Sequence, residues 1–531
     1  MLFCNINMIK EKIQLYLPEN VNVDYHDNLA IFEVSSSQIG DVVNDLHNQK
    51  KLPLKLVTVT DERKENGSFK IWYLFGVPGD NFFMCPFVVL KNTIEFPSLA
   101  NIVPEILNYE RKIQTFFGLK ALGIPDNRAL ILHENYPSDV FPLRKDFEWK
   151  TKLKKSTGKY DFQEVKGEGI YEIPVGPIHA GIIEPGHFRF SMVGESIVQL
   201  EPRLGYVHKG SEKLFEVLPL EDKVRLSEKI SGDSSFSHSL AFCQTIEKLA
   251  EINVTKRALY LRTIFAELER LANHFGDIGA IMMDTGFSFG GANGSRLREM
   301  IMQINEKLTG SRFLRRVNTI GGVKKDLNND NKDYLNKILI DISKDFEEVV
   351  EIAENSASVL NRLKGTGIIS FEIANNLGLV GVAGRAVGIK RDTRIDHPYA
   401  AYLEVSMGQI PIEEEGDVNA RFQIRLKEIR KSLNIIQESL QKMPDGEIAI
   451  SNNVNLIMKK SSYDVSMVEG WRGEIVYFVA TDSQGNISRV FPRDPSFINW
   501  SALGEAGLNN IVPDFPLINK SFNLSYTGND L

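Results

Sequence analysis

Apolar residues recur every three or four positions in two long stretches of the chain. Across 335–360 the series is Leu335, Ile338, Ile342, Phe346, Val349 and Ile352; across 420–442 it is Phe422, Leu426, Ile429, Leu433, Ile436 and Leu440. Such spacing lays one apolar stripe along each of two amphipathic helices. The run 256–280 predicts a third helix, with Glu267, Arg270 and His274 set among apolar neighbours. Other segments follow a strand pattern. LKLVTVTDER and FKIWYLFGV carry the β-branched and aromatic content of strands, and residues 1–146 read as a small α/β unit. Within that unit SLANIVPEILNYERKIQTFF has helical spacing around Pro104. HFRFSMVGESIVQLEP predicts a hairpin turning near Gly194, and GEIVYFVATDSQGNISRVF another turning at Ser483-Gln484-Gly485-Asn486. Residues 148–169 hold few large apolar side chains and many lysines, the pattern of a solvated linker. The expected fold class is therefore α+β. A small α/β domain (1–147) and a linker (148–169) precede a mainly helical core with β-hairpins at its two sequence ends (170–531). No internal repeat or low-complexity tract interrupts the pattern.

Composition narrows the function classes. The chain has 531 residues, 43% hydrophobic and 25% charged, the balance of a globular protein with ample core material. Its net charge of −7 argues against a general nucleic-acid binder, which is usually basic. No stretch approaches the ~20 apolar residues of a membrane-spanning helix. The N-terminal run MLFCNINMIKEKIQLYL lacks the regions of a secretory signal. The three cysteines, Cys4, Cys85 and Cys243, lie far apart with no CxxC. A disulfide framework is not expected, and a reducing cytosolic setting fits. Neither a four-thiolate metal site nor a cluster held by four thiolates can be built from them. There is no GxGxxG and no Walker A, so no nucleotide site is predicted.

Three segments offer chemistry. GPIHAGIIEPGHFRF (176–190) gathers His179, Glu184 and His187 among Gly and Pro. Two histidines and a carboxylate suit metal ligation or proton donation to a reduced substrate, while the plain alternative is a turn whose histidines satisfy backbone groups. ISGDSSFSHSLAFCQTIE (230–247) places Ser231 to Ser235 and Asp233 just before a predicted helix. Local reasoning favours N-capping over anion binding there, and makes His238 a satisfied core histidine. FPRDPSFINW (491–500) offers Arg493, Asp494, Ser496 and Asn499 on a Pro-flanked loop after a strand. The charged clusters RDTRIDHPY (391–399) and VEGWRGEI (468–475) are expected to be buried Arg–carboxylate pairs.

Taken in order, these pieces resemble a known family. GPIHAGIIEPGHFRF, RLGYVHKGSEKLFE, ISGDSSFSHSLAFCQTIE, AELERLANHFGDIGAI, GSRLRE, GTGIISFEIANNLGLVGVAGRAVG and VEGWRGEIVYFVATDSQGNISRVFPRDPSF are similar to large subunits of membrane-bound nickel–iron hydrogenases, formate hydrogenlyase among them, and to the homologous 49-kDa subunit of respiratory complex I. NYERKIQTFFGL and FPLRKDF resemble the 30-kDa complex I subunit often fused upstream. In the active hydrogenases a CGxCxxxH segment and a terminal DPCxxC segment hold nickel and iron. Their four cysteine positions match Ser231, Ser234, Ser496 and Asn499 here, with His238 and Asp494 alongside. A neutral hydroxyl is a poor, hard ligand for such a centre, so the resemblance implies a member without nickel–iron or any other metal. In the complex I branch a GPxH histidine and a tyrosine hydrogen-bond a quinone head-group. His179 matches the histidine, and Gly232 stands at the tyrosine position.

The resemblance implies an oxidoreductase subunit that binds no cofactor of its own and takes electrons from an iron–sulfur cluster on a small partner subunit. Quinone is the implied acceptor, with His179, Glu184 and His187 as catalytic and proton-relay groups. Ser231, Gly232, Ser234, His238, Arg385, Asp494, Ser496 and Asn499 would line the cavity. Antiporter-like membrane subunits would attach the chain peripherally to the cytoplasmic side of the inner membrane. Any NAD site of the assembly would lie on another subunit. The rival reading is a non-catalytic scaffold that couples its partners to ion transport.

Overall fold

A computed structural model describes residues 12–18, 21–26, 28–179, 183–450 and 456–531. Cys4 lies outside them; Cys85 and Cys243 are both buried free thiols, and burial pushes Cys85 up to about 12. The chain divides into two compact units, Met1–Asp161 and Phe162–Leu531. It is α+β in class, as its pattern predicts.

The first unit is built on a five-stranded sheet of β1 (Val23–His26), β2 (Leu29–Glu33), β3 (Leu54–Glu62), β4 (Ser68–Val77) and β5 (Phe82–Lys91), in the order β1-β2-β5-β4-β3. Only β2 and β5 run parallel. LKLVTVTDE and SFKIWYLFGV form β3 and β4, buried along nearly their whole length, as strands covered on both faces are. Pro104 opens one 3₁₀ turn, Pro104–Ile106, which feeds α1 (Leu107–Phe117).

In the second unit β6 (Ile170–Val175), β7 (His187–Val193) and β8 (Ser196–Arg203) form an antiparallel meander, and the β7–β8 turn falls at Gly194. The helical core comprises α2 (Ser235–Leu249), α3 (Lys256–Asp284), α4 (Ser288–Thr309), α5 (Asn329–Glu354) and α6 (Val418–Lys442). A second sheet follows, β9 (Tyr463–Gly470), β10 (Gly473–Thr481) and β11 (Ile487–Arg493), then α7 (Pro495–Ala506). The predicted β10–β11 hairpin turns at 482–486, and β9 adds a strand on its far side that the sequence pattern did not single out.

α3 has 29 residues and runs about 43 Å through the core. It packs closely on α4 because Gly279 faces Gly294: a Cβ at Gly294 would stand 2.4 Å from the Gly279 Cα. The α6 stripe is buried from Phe422 to Ile436, starting from an Asp417 cap whose carboxylate accepts the Ala420 N–H at 2.7 Å. The 335–360 reading needs correction. α5 ends at Glu354, its buried stripe is Leu335, Leu339, Ile342, Phe346, Val349, Val350 and Ala353, and Ile352 is exposed. No helix among the described residues is long and apolar enough to cross a membrane.

Candidate functional site

The loops before α2 and α7 meet. Asp494 caps α7, accepting the Ser496 N–H at 2.7 Å, and Pro495 takes the first helical position, where no N–H is needed. Its other oxygen faces His238 Nε2 at 3.0 Å, and His238 Nδ1 lies 3.1 Å from the Tyr477 hydroxyl. Burial alone would raise Asp494, but the His238 hydrogen bond and the nearby Arg472 outweigh it and hold the carboxyl below its usual range. With Asp494 a carboxylate, Nε2 carries the proton; in the neutral ring Nδ1 accepts from Tyr477.

Ser231 Oγ lies 2.9 Å from both Asp233 Oδ1 and Ser525 Oγ. The Ser525 N–H donates to Ser496 Oγ at 2.9 Å. Residue 525 thus bridges Ser231 to Ser496. Asn499 clamps one residue of backbone: its amide donates to the Val380 carbonyl and accepts the Val380 N–H, each at 3.1 Å. The clamp needs glycine beside it, since Gly381 sits at φ +63° and a Cβ there would stand 1.9 Å from the Arg472 carbonyl. Ser234 is buried, and its N–H donates to the Ser231 carbonyl at 3.0 Å. The Gly232 carbonyl accepts from Ser235 Oγ at 2.8 Å.

Asp233 does not cap α2, contrary to the local expectation. Its carboxylate pairs bidentately with Arg472, at 2.7 and 2.8 Å, and is held below its ordinary range despite burial. The first-turn N–H groups of Phe236 and Ser237 donate instead to Glu269 of α3, at 2.6 and 3.0 Å. Burial outweighs those bonds and pushes Glu269 up to about 7.

The histidine loop closes on its own backbone. His179 Nε2 lies 2.8 Å from the Gly186 carbonyl, and His187 Nδ1 lies 3.3 Å from the Gly176 carbonyl. A carbonyl only accepts, so each of these nitrogens is the donor. Burial lowers His187, which keeps it neutral near pH 7. Glu184 is exposed and accepts the Thr527 N–H at 3.0 Å. Among the described residues no side-chain hydrogen bond joins His179, Glu184 and His187 to one another. The loop reaches the serine bridge through the short helix Tyr526–Asp530, because Ser525 and Thr527 flank its start and Tyr526 packs on Gly186.

Comparison with known proteins fits this arrangement. Residues 284–467 match the family described as respiratory-chain NADH dehydrogenase, 49 Kd subunit, and residues 32–153 match the 30 Kd subunit. The chain is 31% identical to formate hydrogenlyase subunit 5 of Escherichia coli K12, over 95% of this chain and 89% of that protein. It is 32% identical to hydrogenase-4 component G of the same organism, over 97% and 88%. It is 31% identical to the NADH-quinone oxidoreductase C/D subunit of Phocaeicola vulgatus, over 74% and 78%. The chain belongs to the complex I 49-kDa and formate hydrogenlyase subunit family. It joins 30-kDa-type and 49-kDa-type parts in one polypeptide, as a subunit of a complex I-like, formate hydrogenlyase-like redox complex.

In this family member Arg385 stands apart from the serine bridge. It is fully buried and pairs with Glu428 at 2.6 Å and Glu469 at 2.9 Å. Around it lies a buried ionic cluster between α3 and α6. Glu267 accepts from Arg394 at 3.0 Å, Tyr402 at 2.6 Å and Ser432 at 2.5 Å, with Arg270 at 3.2 Å. Burial would raise Glu267, but Arg270 and Arg394 hold it down at about 2. Glu428 faces His274 Nε2 at 2.8 Å, and Arg394 pairs with Asp392 at 2.7 Å. The charged runs 391–399 and 468–475 are thus buried ion pairs. Sequence reasoning passed over Ser525, Glu269 and Tyr477. FNLSYTGND has no motif, and Glu269 and Tyr477 acquire their roles only through distant partners.

Proposed function

We propose that this chain is an electron-transfer subunit without a nickel–iron centre, reducing a quinone-type acceptor at the His179 loop with electrons from an iron–sulfur cluster on a partner subunit. The carrying observation is the bridge Ser231–Ser525–Ser496 with the Asn499–Val380 clamp. The donor set at the four former cysteine positions is three neutral hydroxyls and an amide. Ser231, Ser496 and Asn499 already spend theirs on protein partners, a poor fit to a soft, thiolate-demanding metal pair. The chemistry then falls to the adjoining loop. Donation of Nε2–H to Gly186 leaves His179 Nδ1 as the position that accepts from a hydroquinone hydroxyl, or donates to a quinone oxygen once the ring is protonated. His187, neutral and tied to Gly176, and Glu184, exposed at the loop edge, supply proton-accepting groups within the same turn. Attachment to the membrane is by partner subunits of antiporter type, and any NAD chemistry belongs elsewhere in the assembly.

A scaffold without electron transfer is the second reading. Gly232 favours it, because the position offers no ring hydroxyl to the head-group opposite His179. Binding of a quinone analogue to the purified complex separates the two. Saturable binding that His179→Ala weakens at least tenfold supports the redox reading. Absence of binding to both proteins refutes it in favour of the scaffold.

A further inference from the structure

The buried ionic cluster is short of one positive charge. Its carboxylates are Glu267, Asp392, Glu428 and Glu469, and its guanidinium groups are Arg270, Arg385 and Arg394, all at most 2% exposed. His274 is neutral, since burial lowers it. An uncompensated charge in such surroundings is costly, so a fourth cation is required. Lys431 of α6 supplies it. Its ammonium lies 4.0 Å from Asp392 Oδ2, and its side chain keeps only 11% of its exposure. That remaining exposure opens into a cleft of about 650 Å³ between residues 406–412 and α6, lined also by Lys427, Asn434 and Glu438.

We propose that this cleft is the port through which the buried cluster exchanges a proton with solvent, and that Lys431 is the group that carries it. The other cations of the cluster are arginines, which hold their protons throughout the physiological range. The groups that act on Lys431 come from three directions. Arg394 and Asp392 face it from the 391–396 segment, Arg385 from the helix Gly381–Arg385, and Glu428 from its own helix. In the cleft the Gln409 carbonyl lies 3.4 Å away. The two other charges there are already engaged, Lys427 with Glu413 and Glu438 with Lys442. Burial and the positive Arg394 bring Lys431 down to about 8, so it is the cation of this group that gives up its proton near neutral pH.

Loss of that proton leaves the cluster one negative charge in excess, and a short chain of contacts runs from the cluster toward the serine bridge. His274, bonded to Glu428, stands edge-on to Trp471 at 6.2 Å, and Trp471 Nε1 donates to the Asp233 carbonyl at 3.2 Å. The port's use in proton-coupled electron transfer rests on the redox reading above. Its titration does not, so the two fail separately.

Competitive pulse labelling of the full chain with acetic anhydride, read by mass spectrometry from about pH 6 to pH 11, measures each lysine's titration. The expected midpoint for Lys431 is near 8, against about 10.4 for an ordinary lysine side chain in water. Asp392→Asn removes the nearest negative charge and should lower that midpoint further, by about one pH unit, which is tenfold in proton affinity. Should that variant fail to fold, Lys431→Met carries the test. A lysine lowered in the folded state makes stability rise with pH between about 8 and 10.4, because the unfolded chain then binds the extra proton. The variant should lose that part of the rise in unfolding temperature. Co-titration of Lys431 with the exposed lysines would overturn the proposal. So would an Asp392→Asn midpoint, or a Lys431→Met stability profile, identical to the wild type.

Discussion

His238 and Asp494 form a buried pair, with Arg472 close enough to the carboxylate to help hold it ionised. His238 bonds Asp494 on one nitrogen and Tyr477 on the other, at 0% exposure. Truncating one partner of a buried pair leaves the other uncompensated. His238→Ala is expected to lower the unfolding free energy by roughly 3–5 kcal/mol in a urea titration. Tyr477→Phe, which removes only the hydroxyl beside the other ring nitrogen, should cost about 1 kcal/mol.

Glu269 makes a pH-dependent contribution of the opposite sign to a salt-bridged acid. Its folded value of about 7 lies above the ordinary glutamate value near 4.3. Between those limits the folded chain holds the extra proton, so stability falls as pH rises through that window. Glu269→Gln should flatten this segment of the profile, most visibly as a smaller loss of melting temperature between pH 4.3 and about 7. Glu267 behaves the other way. Held at about 2, it contributes fully above about pH 4.3 and loses its contribution as pH falls toward 2.

At the scale of elements, close approach of α3 and α4 is set by paired glycines. Gly294→Ala places a methyl 2.4 Å from the Gly279 Cα, and backbone cannot yield as a flexible side chain would. The expected cost is about 1–3 kcal/mol by chemical denaturation, with the fold retained. The period of apolar residues made α6 and both hairpins legible, because each buries one face against the core and local pattern alone records that. In α5 the same rule chose Ile338 and Ile352 where the structure buries Leu339 and exposes Ile352, a register set by the helix's neighbours rather than by its own sequence. The site divides likewise. FPRDPSFINW reads as a Pro-flanked loop, yet Pro495–Ala506 form α7 with Asp494 as its cap. SGDSS carries a local capping signal before α2, yet Asp233 is drawn off by Arg472 and Glu269 takes its place from another helix. Interactions across more than thirty residues leave no local trace, and Ser525 is the plainest case.

For the molecule as a whole, the 30-kDa-type and 49-kDa-type parts lie in one chain, and the second part is organised around two buried polar systems. One is the serine bridge with its His238–Asp494 anchor; the other is the ionic cluster reaching toward Lys431. Buried polar side chains need hydrogen-bond partners, and the Ser525 hydroxyl and backbone N–H supply them to Ser231 and Ser496. The most direct measurement is the nickel content, by inductively coupled plasma mass spectrometry, of the complex purified from its native host with nickel supplied. Only trace nickel per chain is predicted, unchanged in a Ser525→Ala variant; stoichiometric nickel would contradict the account.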